Sequence, residues 1–161
     1  AALSQGNVDM ACGWGGALAR MREFGNVLLT GAEKEAIGIL SFDLITTTGD
    51  FAAGQPRLLA DFVAVTAQAN AAWNAGDRRD EMLSVIARDA GMETAVAGDT
   101  IDDFVFLSVD QLLSDAWLGG RVGTYLDGAA EFFRENGTVP EILPSYAALI
   151  DTGPLADVAG R

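Results

Sequence analysis

The hydrophobic pattern changes period near Gly49, and that change restricts what the chain can fold into. Before it, the apolar residues come in short runs rich in β-branched side chains. Val8–Cys12, Asn26–Thr30 and the longer Ile37–Thr48, interrupted by Asp43, are predicted strands. Ala17–Phe24 between them is a predicted short helix, stopped by Gly25-Asn26. After Gly49 the spacing is helical. Pro56 suits a first turn, where its missing N–H donor costs nothing. Leu58, Leu59, Phe62, Val63, Thr66, Ala69 and Trp73 then trace one face up to Gly76. Met82, Leu83, Ile86 and Ala90 form a shorter face that ends at Gly91. Ser108-Val109-Asp110-Gln111 has capping-box spacing and predicts a helix running through Trp117 to Gly119-Gly120. A further helix is expected from Val122 to Phe133, with Asn136-Gly137 as its stop, and a last short one around Tyr146, Leu149 and Ile150. Two or three strands make a poor sheet, and one-sided helices need more apolar partner surface than those strands offer. The expectation is an α/β fold with part of its partner surface missing.

Charge and residue inventory remove several function classes. Lys and Arg number 10 against 23 Asp and Glu, a formal charge of -13. The longest basic run, Arg78-Arg79, is flanked by Asp77, Asp80 and Glu81. Phosphate recognition needs clustered cations, so no nucleic-acid partner is expected. The chain has no histidine and a single cysteine, Cys12. That excludes His-based acid/base chemistry, Ser-His and Cys-His nucleophiles and the usual zinc sites, and no catalytic, metal or cofactor residues are assigned. Cys12 beside an apolar stretch reads as a small buried residue. No apolar run is long enough to span a membrane, so no membrane insertion is expected. The opening Ala1–Asn7 lacks the basic and apolar regions of a secretory signal, and together with the missing initiator Met it fits a processed or truncated chain.

Two residues stand out as ligand contacts. Trp14 is set among Gly13, Gly15 and Gly16 directly after a predicted strand, where glycines allow close backbone approach and an indole can wall a pocket. The plainer alternative is a core tryptophan in a glycine turn. Asp43 interrupts an apolar run, either as an ordinary solvent-facing strand residue or as a carboxylate held for a cationic ligand group. Asp99, Asp102 and Asp103 lack the calcium-loop pattern and read as a solvated loop.

At these residues the chain resembles the taurine-binding receptors of ABC importers, within the broader group of sulfonate, nitrate and thiamine-precursor receptors. The resemblance is carried by Gly6-Asn7-Val8-Asp9 with Ala11–Trp14, by Gly25–Thr30, by Phe42-Asp43, and by Asp50-Phe51 with Pro56. It continues through Phe106–Val109, Gln111, Leu112, Ser114 and Trp117–Gly120, then Phe132, Gly137 and Ser145-Tyr146. It implies a type II periplasmic-binding-protein fold, α/β and two-lobed in the full-length family, with only the carboxyl-terminal half present. Residues 1–45 would end the second lobe and cross the hinge, and residues 46–161 would return to the first lobe as mostly helical material. Trp14 would pack on the ethyl chain of taurine and Asp43 would pair with its ammonium, with Gly15 and Thr46 as adjoining contacts. The implied role is not enzymatic: it is capture of taurine or a similar small sulfonate in the periplasm and delivery to an ABC permease. The amino-terminal half would supply much of the sulfonate site. Three alternatives stay open: another small sulfonate or zwitterion as ligand, an enzyme of the same fold group, and a structural fragment dependent on a partner.

Overall fold

The computed structural model describes residues 2–160, so Ala1 and Arg161, the outer ends of the two expected segments, lie outside the described residues. The α/β expectation is overturned. Among the described residues there are helices and no strands. The chain divides into two compact units: residues up to Phe42 with Ala72–Phe106, and Asp43–Ala71 with the residues from Leu107 onward.

In the first unit, α1 (Gly15–Arg22) and α2 (Gly31–Ala36) precede the last turn of α4 (Pro56–Ala75), followed by α5 (Arg79–Ala90) and α6 (Thr94–Asp102). Helix α6 packs against both α5 and α1. Leu40, Trp73, Ala87 and Ala97 are its buried apolar side chains. The α5–α6 connection is tight because Gly91 takes a left-handed conformation (φ 63°), which spares it the Cβ clash of other residues. An aromatic group closes one side. The ring of Trp73 meets Phe106 edge-on at 6.4 Å, Phe104 stacks on Phe106, and the Asn74 amide donates to the Phe106 carbonyl at 2.8 Å. The guanidinium of Arg79 lies 4.4 Å from the Trp73 ring centroid while pairing with Asp102. One cation thereby ties the start of α5 to both the aromatic group and the end of α6.

In the second unit, α3 (Gly49–Gly54) and most of α4 are followed by α7 (Val109–Leu113), α8 (Arg121–Glu135) and α9 (Gly153–Ala159). Helix α7 packs on α9, and α8 on a single 3-10 turn at Ala147–Leu149. Asp127 of α8 accepts from the Tyr146 N–H at 2.6 Å and from the Ser145 hydroxyl, which anchors that turn. Ala60, Ala64 and Val122 are the buried apolar residues.

The predicted strands fail for a definite reason. A strand's backbone groups need a paired neighbour, and neither unit brings a second extended segment alongside. Val8–Cys12, Asn26–Thr30 and Ile39–Thr48 run as irregular or bent chain, and apart from the buried Leu40 and the half-buried Phe42 their apolar side chains are exposed. Leu28 is 71% exposed, Ile37 64% and Ile45 62%. Cys12, expected to be buried, is exposed as well.

Local helix signals fared better. Pro56 opens α4, and Ser108 and Gln111 form the reciprocal cap of α7. That helix stops at Leu113 instead of running through Trp117. The chain then folds into a tight loop whose Leu118 N–H reaches the Leu112 carbonyl and whose Gly119 N–H reaches Ser114. The acidic stretch expected as a loop belongs to α6, with Asp103 as its end.

Helix α2 buries no residue, so its cap dominates its stability. The Thr30 N–H donates to the Glu33 carboxylate at 2.8 Å, and the Glu33 N–H donates to the Thr30 hydroxyl at 3.2 Å. The first bond, then the Thr30 hydroxyl, hold the Glu33 carboxyl below its ordinary value of 4.5. A depressed carboxyl stabilises the helix above the unfolded value, and that contribution is lost as pH falls through the lower, folded one. The NMR helical shifts of residues 31–36 are therefore expected to weaken toward coil as pH falls below the ordinary glutamate range and through the lowered value. Glu33→Gln, which keeps a reciprocal cap without a charge, is expected to flatten that pH dependence.

A pair of glycine substitutions tests the packing of the second unit. A Cβ on Gly119 would stand 2.8 Å from the Leu113 and Ser114 carbonyl oxygens, whereas one on Gly128, inside α8, would meet open space. Gly119→Ala should destabilise by about 1–3 kcal/mol through overpacking. Gly128→Ala should stabilise by about 0.5–1 kcal/mol by lowering unfolded-chain entropy. Thermal unfolding followed by circular dichroism reads both, and equal shifts would contradict the loop geometry.

Candidate functional site

Trp14 is the residue before α1, in extended conformation (φ −142°, ψ 166°), and it offers the helix no side-chain cap. Its carbonyl accepts the first helical bond, from the Leu18 N–H at 3.3 Å. The flanking glycines have separate physical tasks. A Cβ on Gly13 would sit 3.0 Å from the Met21 thioether, so the chain passes close over α1 there. Gly15 adopts φ +54°, and a Cβ on it would meet the Thr100 methyl of α6 at 3.4 Å. The left-handed turn at Gly15 redirects the chain into the helix while keeping the helix start against α6. The indole of Trp14 is 78% exposed as a result. It is not the core tryptophan of the plainer reading; Trp73 is.

Asp43 and Thr46 lie in the irregular stretch that begins the second unit, and both are exposed. Neither side chain makes a hydrogen bond or ion pair among the described residues. Trp14 and Gly15 adjoin at one helix start in the first unit, and Asp43 and Thr46 share one stretch of the second. An exposed indole offers an apolar face that can cover a short alkyl chain or a cation. A carboxylate free of cationic partners can take an ammonium.

Several electrostatic contacts are local. Arg78 and Glu81 form a two-bond fork at 2.9 and 2.6 Å in the first turn of α5, which raises the Arg78 guanidinium and lowers the Glu81 carboxyl through hydrogen bonding first and charge second. Such solvent-facing pairs contribute little to stability. Behind Gly15, the Thr100 hydroxyl is buried without a hydrogen-bond partner. Sequence patterning had no means of finding it, because its burial depends on α1 meeting α6. Among the described residues no three His, Cys, Asp or Glu side chains gather as a metal site. No helix among them is long and apolar enough to cross a membrane.

The chain is similar to the taurine-binding periplasmic protein of Escherichia coli (strain K12), with 23% identity over 154 residues. The match takes in 93% of this chain and 48% of that protein, so the chain spans about half the length of its curated relative. The resemblance to the taurine receptors is therefore present and distant. The relative is a binding protein by its name, not an enzyme. No family model matches the chain. No solved structure matches it either.

The conformation at Gly15 makes a direct prediction. Gly15→Ala should destabilise the chain by about 1–2 kcal/mol, the ordinary cost of a left-handed non-glycine residue. Gly15→Asn should lose less, because asparagine tolerates that region better. Chemical denaturation of both variants measures the difference, and an unperturbed alanine variant would mean that α1 does not begin with a left-handed turn.

Proposed function

We propose that this chain contributes to a solute-binding component of an ABC importer, one that captures taurine or a closely similar small sulfonate in the periplasm and passes it to a permease. The observation that supports the reading is the likeness to a taurine-binding periplasmic protein along 93% of the chain. In this reading the Trp14 indole covers the two-carbon chain of the ligand, with Gly15 allowing close approach. Asp43 pairs with the ammonium and Thr46 donates from its hydroxyl. The role is capture without bond making. An inventory with no histidine and one exposed cysteine suits it. The part of the relative outside the match, roughly half, is proposed to correspond to an amino-terminal half that supplies most of the sulfonate donors.

A second reading is favoured by one specific observation. Leu28, Ile37 and Ile45 are each more than three-fifths exposed, and apolar side chains in adjoining stretches are exposed with them. Apolar exposure on this scale is a mark of surfaces that are covered in use. On this reading the chain is a fragment that depends on a protein partner and binds no small molecule alone.

Calorimetric titration with taurine separates the two, performed on the chain alone and on the chain mixed with a matching amino-terminal half. The receptor reading expects saturable heat with one of the two samples and a loss of about tenfold or more in affinity for Asp43→Asn, since a charge-assisted bond is removed. Absence of heat from both folded samples would overturn the taurine assignment. Binding unchanged in Asp43→Asn would remove that residue from the site.

A further inference from the structure

The first unit holds a pocket of about 220 Å³ lined by Leu3, Ser4, Ala17, Arg20, Met21 and Phe24. Leu3 and Ser4 sit in a turn closed by two backbone bonds, Gly6 N–H to the Leu3 carbonyl at 3.1 Å and Asn7 N–H to the Ala2 carbonyl at 3.0 Å. This turn folds the amino-terminal stretch back so that a Leu3 methyl comes within 3.4 Å of the position a side chain at Gly25 would occupy. The opposite wall is one face of α1. Ala17, Arg20 and Met21 are spaced i, i+3, i+4 on it, and Phe24 follows in the closing turn, where its N–H reaches the Met21 carbonyl. Ala17 leaves the space that a larger side chain would fill.

The chemistry of the lining is specific. Two arginines occupy the last turn of α1. Arg22 is tied to Asp103 at 3.6 Å, whereas Arg20 pairs with no carboxylate among the described residues. The pocket's described lining includes no carboxylate either. Arg20 therefore lines an open pocket whose other described walls are mainly apolar. The planar fork of a guanidinium matches the two oxygens of a carboxylate. At about 220 Å³ the pocket falls below the roughly 300–1,000 Å³ of ordinary ligand sites, which restricts the occupant to a few heavy atoms. We propose that this pocket binds a short-chain aliphatic carboxylate, with the oxygens on Arg20 and the alkyl chain against Leu3, Met21 and Phe24. An ammonium group would find no partner there, so this site is distinct in its chemistry from one built on Asp43. The chain's charge of -13 opposes anions at long range, but at physiological salt that field is screened beyond about 8 Å, and the adjacent guanidinium dominates.

The test is an NMR titration of the isotope-labelled chain with butyrate, and with butanamide as the neutral isostere. Butyrate should produce saturable amide shifts concentrated at residues 3–6 and 17–24, and butanamide none that saturate. Arg20→Gln, a change on an exposed side chain, should weaken butyrate at least tenfold. Ala17→Met, which fills the chamber and leaves the charge, should weaken it as much. Asp43→Asn should leave butyrate binding intact, so that failure of the taurine reading and failure of this one are told apart. Shifts that rise linearly, spread over the whole chain, persist in Arg20→Gln or appear equally with butanamide would overturn the proposal.

Discussion

Burial of apolar side chains is the scarce commodity in this molecule, and the structure is organised around where it is found. Helix α6 is the centre of the first unit because it serves two neighbours at once, α5 along one side and the start of α1 along the other. Small residues make this possible. Ala87 and Ala97 are buried, and Gly98 lets a Leu83 methyl approach to 3.5 Å of where a side chain would begin. Alanine burial removes little area from water, so the single large buried ring, Trp73, carries a disproportionate share. Arg79 stacks on it and pairs with Asp102, which explains how a cation and an aromatic ring stabilise the same corner.

The candidate site follows from that arrangement. Because α1 must begin against α6, Gly15 turns left-handed and the preceding Trp14 is directed into solvent. The exposed indole is thus a product of packing, available for a ligand whether or not binding shaped it. Asp43 has a different origin: it lies in a stretch that no secondary structure holds and keeps its carboxylate without a cationic partner among the described residues. The Arg20 pocket owes its form to a third cause, a two-bond turn that folds the first residues back over α1.

What was legible in the sequence was local. Pro56, the Ser108–Gln111 cap, Gly91 and Gly137 act within a turn of their own positions, and their signals survive whatever the rest of the chain does. The strands were misread because β-branched runs express a preference only when another strand is present to pair with. The same misreading hid α2: Thr30 was assigned to a strand end, although Thr30-x-x-Glu33 carries a cap signature as clear as that of α7. The acidic end of α6 failed for a longer-range reason. Asp102 is held by Arg79, 23 residues earlier, and no local pattern announces that pair. The distant likeness to a taurine-binding protein was legible from motifs, yet its fold did not transfer to this chain.

The central claim is that Asn26–Thr30 and Ile39–Thr48 are unpaired chain while the helices hold the structure. Amide hydrogen exchange of the chain measures this residue by residue. The account predicts slow exchange in α4, α5, α6 and α8, and exchange near the unprotected rate at residues 26–29 and 43–48, outside the Thr30 and Ile39 amides that bond to α2. Alternating slow amides through 26–30 and 39–48, the signature of strands in a ladder, would contradict it.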